Sequence, residues 1–100
     1  MTEREFLHNL REAEELKRVS QTPETSFWEG YLRGLKRNCR GERFVTDQEH
    51  DIWMQLKNEP LDDDRRYYGI GYEMGFNGNP TEDAIRYIQP KLEEKGGESG

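Results

Sequence analysis

Arg33, Lys36, Arg37, Arg40 and Arg43 place five cations close together in a chain whose formal net charge is −6. At helical spacing the first four share one face. Such a row can neutralise phosphates, and nearby tyrosines can stack on bases. It can also meet an acidic protein surface. A third use is internal, because cations near a helix C-terminus are favoured by the macrodipole. The next segment, residues 46–64, carries seven acids and one base. A basic block beside an acidic one marks either a partner surface or two blocks that neutralise each other within the fold.

Other reactive side chains are sparse. His50 lies in Glu49-His50-Asp51, but adjacent helical residues point to different faces. Packing on Trp53, three residues on, is the expected state. His8 stands alone on the first helix. Cys39 has basic neighbours, which lower a thiol pKa, yet its helical phase puts it at the buried edge in a structural role. Asp62, Asp63 and Asp64 lack the alternating spacing of a calcium loop. No phosphate loop, nucleophile elbow or zinc spacing occurs. The reading is therefore a non-enzyme with no cofactor and no metal.

These residues must be positioned by a small number of helices. Thr2 and Glu5 form a capping box, followed by Phe6, Leu10, Ala13, Leu16 and Val19 at steps of three or four, which predicts a helix over 3–19. Thr22-Pro23 reads as an N-cap and first helical residue of a second helix, 23–39, with Phe27, Trp28, Tyr31, Leu32, Leu35 and Cys39 on its apolar side. Gly41 stops it. Thr46 and Glu49 open a third helix at 47–57, with Ile52, Trp53 and Leu56 facing inward. The aspartates of 62–64 start a fourth, 63–77, which is apolar around much of its circumference and therefore central. Asn77-Gly78 ends it, Asn79-Pro80 starts a fifth with Ala84, Ile85, Tyr87 and Ile88 inside, and Pro90 is expected to end or kink that helix.

Two segments repeat. Gly30-Tyr31-Leu32-Arg33-Gly34-Leu35 matches Gly71-Tyr72-Glu73-Met74-Gly75-Phe76, and each precedes a Thr-capped helix. A glycine inside a helix costs about 1 kcal/mol against alanine, so four of them need a compensating contact. Close approach of two helices at their glycine faces, with Tyr31 and Tyr72 packing onto bare backbone, is that contact. A groove for an outside ligand or a second copy of the chain is the other use. The segment GYEMGFNGNP resembles short bacterial and phage proteins of the ribosome modulation factor type over about ten residues. That family is strongly basic, whereas this chain has a pI near 5.0.

The length of 100 residues implies one domain with a modest core. Leu, Ile, Val and Phe together number only 18, so the eleven aromatics must carry much of the burial. The expectation is an all-α single-domain bundle of about five helices, residues 1–92, built from two related helix hairpins and followed by a disordered tail, 93–100. The single cysteine excludes an internal disulfide and fits a reducing compartment. The N-terminus is charged from its third residue, unlike a signal peptide, and a cytoplasmic location is expected. Function reads as a small protein-interaction or regulatory module with a protein partner, monomeric or homodimeric, and no membrane. Two alternatives are an RNA- or DNA-associated protein using the second helix's basic face, and an acidic decoy that occupies a partner's basic surface through residues 46–64.

Overall fold

The computed structural model describes residues 2–41, 45–59 and 64–98, with side chains as far as Lys91. All regular structure among these residues is helical: α1 (Glu3–Val19), α2 (Glu24–Arg40), α3 (Asp47–Leu56), α4 (Asp64–Phe76) and α5 (Thr81–Glu98).

Local sequence explains most helix ends. Thr2 and Thr46 each accept the amide of the residue three on, and Glu5 and Glu49 return the bond, so both capping boxes form. After α4, Gly78 has φ 77°, its amide donates to the Gly75 carbonyl at 3.0 Å, and the Asn79 amide reaches back to Met74 at 3.0 Å. This paired closure satisfies the last carbonyls and needs the left-handed glycine. The α2 start differs from expectation. Pro23 itself is the N-cap, after a cis Thr22–Pro23 peptide, and no side chain caps it. Pro90 neither ends nor borders α5 but lies inside it. Both Pro90 and Arg86, whose carbonyl loses its donor, are exposed, so water can satisfy that group. The expected disordered tail, 93–100, falls where side chains lie outside the described residues.

The centre is the crossing of α2 and α4. A Cβ built on Gly30 would overlap the Tyr68 carbonyl oxygen and lie 2.8 Å from its carbon. One on Gly34 would strike the Tyr72 carbonyl, one on Gly71 that of Phe27, and one on Gly75 that of Tyr31. Each glycine thus faces the carbonyl three residues before its counterpart glycine, and the contacts are reciprocal. The two Gly-Tyr-x-x-Gly segments touch backbone to backbone, related by a local two-fold.

Around this crossing lies an aromatic core. Phe27, Trp28, Tyr31, Tyr67 and Tyr72 are all fully or almost fully buried, with Leu35, Ala84 and Ile88. Phe27 meets Trp28 edge-on at 5.0 Å and stacks with Tyr87 of α5 at 5.9 Å. Helix α1 lies on α2 through Phe6 and Ala13. It also holds the start of α5: the Thr81 amide donates to the buried Asn9 Oδ1 at 3.3 Å, and the Thr81 hydroxyl donates to Glu12 at 2.9 Å. Helix α3 lies on α4 but has no fully buried residue. Ile52, expected inside, is 58% exposed, and Val19 is 64% exposed. Trp53 and His50 anchor α3 instead, which turns Ile52 outward.

The crossing predicts an inverted mutational sign. In an open helix Gly→Ala stabilises by about 1 kcal/mol. Gly34→Ala and Gly75→Ala should each destabilise this protein by more than ~2 kcal/mol, because the new methyl meets backbone that cannot rotate away. Denaturant midpoints at or above the parent value for both variants would refute the backbone contact.

Candidate interaction site

The five cations do not form one free row. Arg33 is exposed, and its guanidinium carbon lies 4.7 Å from the centre of the Trp53 ring. Arg37 is largely covered; its Nη2 donates to Asp47 Oδ1 at 2.7 Å and its Nη1 to the carbonyl of buried Val45. Arg40 sits over Phe6 at 5.3 Å and 3.7 Å from Glu3. Lys36 lines a separate hollow of about 440 Å³ with Glu14, Lys17, Arg18 and Leu32. Arg43 lies outside the described residues. The stripe is thus divided between α1 and α3. Of the acids in 46–64, Asp47 takes Arg37, whereas Arg40 turns to Glu3 of α1.

The other candidates are engaged in packing. His50 does not rest on the Trp53 indole. Its ring packs 4.5 Å from Phe76, and its Nδ1 is 2.7 Å from the Tyr72 hydroxyl. Burial pushes the Tyr72 phenol up to about 12, so it stays protonated and shares one hydrogen bond with the imidazole. His8 pairs along its own helix with Glu12 at 3.1 Å. Cys39 is half-buried. Burial pushes its thiol up, Glu3 adds to this, and Arg40 only opposes it; the lowering expected from its basic neighbours does not win. Asp64 is the first residue of α4, while Asp62 and Asp63 lie outside the described residues. Among the described residues, no group of three or more His, Cys, Asp or Glu side chains could hold a metal ion. No described helix is long and apolar enough to cross a membrane.

Sequence reasoning missed the feature that draws these elements together. Gly69 presents bare backbone to the end of α3: an added Cβ would strike the Lys57 amide and lie 2.6 Å from the Leu56 carbonyl carbon. This brings α3 down onto α4. Trp53 then meets Tyr68 at 5.7 Å and 61°, and Tyr72 at 5.4 Å and 62°. Beside them opens a hollow of about 240 Å³, lined by Ser26 of α2, Trp53 and Leu56 of α3, and Asp64, Arg65 and Tyr68 of α4. The only sequence signal was the extra glycine in Gly69-Ile70-Gly71. Two aromatic walls set at a steep angle can take an apolar or cationic side chain.

No protein-family model matches this chain, and no curated protein or solved structure does.

The stripe's division predicts unequal roles. Arg37→Ala removes a charged bond and leaves the Val45 carbonyl short of a donor; it should cost about 2 kcal/mol. Arg33→Ala should cost less than about 1 kcal/mol, the usual worth of an exposed cation–π contact. Urea titrations that rank the two the other way round would contradict the geometry.

The tyrosines predict alkaline sensitivity. Tyr68 and Tyr72 are both pushed from 10.0 up to about 12, chiefly by burial, and burial raises Tyr31 as well. In the unfolded chain these phenols ionise near their ordinary 10.0. Stability is therefore complete below that pH and is lost as pH rises toward the folded values. The melting temperature should hold to about pH 10 and fall between about 10 and 12. Tyr72→Phe should fall less steeply over that interval; an equal slope would mean that the phenol is hydrated in the folded state.

Proposed function

We propose that this chain is a small, non-catalytic protein-interaction module of the cytoplasm, and that its partner docks at the hollow between α2, α3 and α4. The carrying observation is the exposure of Trp53 and Tyr68. The protein buries Phe27, Trp28, Tyr31, Tyr67 and Tyr72, whereas these two rings are only partly buried and line a mainly apolar opening. Aromatic side chains of this kind anchor protein interfaces, because they bury much area with few rotatable bonds. Engagement of His50, His8 and Cys39 in packing and pairing supports a binding role over a catalytic one. The division of the basic stripe favours a protein partner over RNA or DNA. Phosphate tracking needs several free cations in a row, and Arg37 and Arg40 are committed within the fold.

Affinity capture with the parent protein and with Trp53→Ala, each with and without nuclease, tests this reading. The expected result is a partner retained after nuclease treatment and lost from a Trp53→Ala variant that still folds. Nuclease-sensitive capture, or capture indifferent to Trp53→Ala, would sink it.

A further inference from the structure

We propose a second binding surface, independent of the opening beside Trp53. It is the outward face of the first half of α1, where Arg4, Leu7 and Arg11 receive an acidic helical segment of a partner protein. These three residues line a hollow of about 420 Å³ together with Glu3 and His8, and all five are exposed.

The first observation is a pair of unmatched cations. The chain holds 21 acids against 15 lysines and arginines, so carboxylates are plentiful. Every other lysine and arginine whose side chain is described has a carboxylate, a ring or another partner. Arg4 and Arg11 have neither a carboxylate nor a ring among the described residues. The cause is local. Helical neighbours pair at three and four residues, and for Arg4 those are Leu7 and His8. Arg11 looks forward to Glu14 and Glu15, but Glu15 is taken by Arg18. His8 turns to Glu12 at 3.1 Å. Glu3, the one acid of the lining, is met from outside by Arg40 at 3.7 Å. The charge that the hollow offers is therefore that of two guanidinium groups.

The second observation is the apolar contact between them. Leu7 is 39% exposed, and the wall of the hollow is mainly apolar. Arginine stems add methylene surface there while their charged ends stay in water. Seven helical residues separate Arg4 from Arg11, roughly 10 Å of rise. An opposing helix with two glutamates seven residues apart and one apolar side chain between them matches the charge, the spacing and the contact. Beyond Arg11 the face carries Glu14 and Glu15, both exposed. A nucleic acid continuing along α1 would meet like charge there, and one leucine is too little apolar surface to hold a membrane.

The test titrates the full chain, at low ionic strength, into a labelled helical peptide with two glutamates seven residues apart around a leucine. Anisotropy is the readout. Saturable binding that weakens with added salt is expected. Arg4→Gln and Arg11→Gln should each weaken it about threefold, and the double variant about tenfold, the scale of two exposed ion pairs. Leu7→Ser should weaken it as well. Melting temperatures should not move, because all three side chains are exposed. Arg86→Gln removes the same charge from α5 and should leave the affinity unchanged. Absence of saturable binding, an unaltered affinity in the double variant, or equal weakening by Arg86→Gln would overturn the inference. Tighter binding of single-stranded RNA, or of vesicles containing an anionic phospholipid, through Arg4 and Arg11 would overturn it too. So would a parent dimer that the double variant dissociates, since the face would then belong to a second copy of the chain.

Discussion

Backbone contact between α2 and α4 is the constraint from which the rest of the structure follows. Helices separated by ordinary side chains can slide or rotate at modest cost. Helices whose glycines face carbonyls cannot, because every neighbouring register would drive a side chain into main chain. The reciprocal pairing of Gly30 and Gly34 with Tyr68 and Tyr72, and of Gly71 and Gly75 with Phe27 and Tyr31, therefore sets both depth and register. Tyr31 and Tyr72 are carried to equivalent places. The Tyr31 hydroxyl donates to the Asn79 carbonyl, just beyond α4, at 2.7 Å. The Tyr72 hydroxyl reaches His50 in α3, the helix that follows α2. Each central helix is thus tied to the element that comes after the other, and the two halves of the chain interlock.

That arrangement reconciles a lean composition with a folded domain. Few aliphatic residues are available, so burial falls to large rings. Large rings pack well only when the helices between them come close enough to leave no voids. Glycine provides the closeness and the aromatics fill the shoulders on either side. The helix-propensity cost of four glycines, about 4 kcal/mol, is offset by the burial of Phe27, Trp28, Tyr31 and Tyr72 that the crossing permits.

Much of this framework was legible in the residues. Capping boxes at Thr2 and Thr46, the stops at Gly41 and Gly78 and the apolar stripes of α1 and α2 are local signals. Each acts within one or two turns, so spacing alone reveals it. What was not legible depends on partners far away in sequence. Ile52 looks like a core residue by periodicity. It is exposed because the α3 face is chosen by Trp53 and His50 against α4, a choice that turns on Gly69. Asn9 looks like a polar position on α1 and is 4% exposed, because it receives an amide of α5 across the chain. Spacing points His50 to the nearest indole, whereas tertiary packing gives it Phe76 and Tyr72 instead. Spacing groups Arg33, Lys36, Arg37 and Arg40 on α2, but pattern cannot say that Arg37 turns to Asp47 of α3 and Arg40 to Glu3 of α1.

The same division explains why the surface is not a simple charge map. α2 lies at the centre of the bundle, so its outer face is flanked by α1 and α3. Cations at its edges are drawn to whichever neighbour supplies a carboxylate, a carbonyl or a ring. Arg37 and Arg40 find carboxylates, a carbonyl and a phenyl ring, and so become structural. Arg33 instead lies over the Trp53 ring. A contact between an exposed guanidinium and a half-exposed indole is too weak to be needed for folding. It is nevertheless specific enough to keep a ring covered that would otherwise be a patch of bare apolar surface. The crossing that demands glycine at the centre thereby leaves, at its margin, an aromatic corner of Trp53 and Tyr68 with one exposed guanidinium beside it. That exposed, weakly held position separates Arg33 from Arg37 and Arg40, which are bound into the fold by carboxylates.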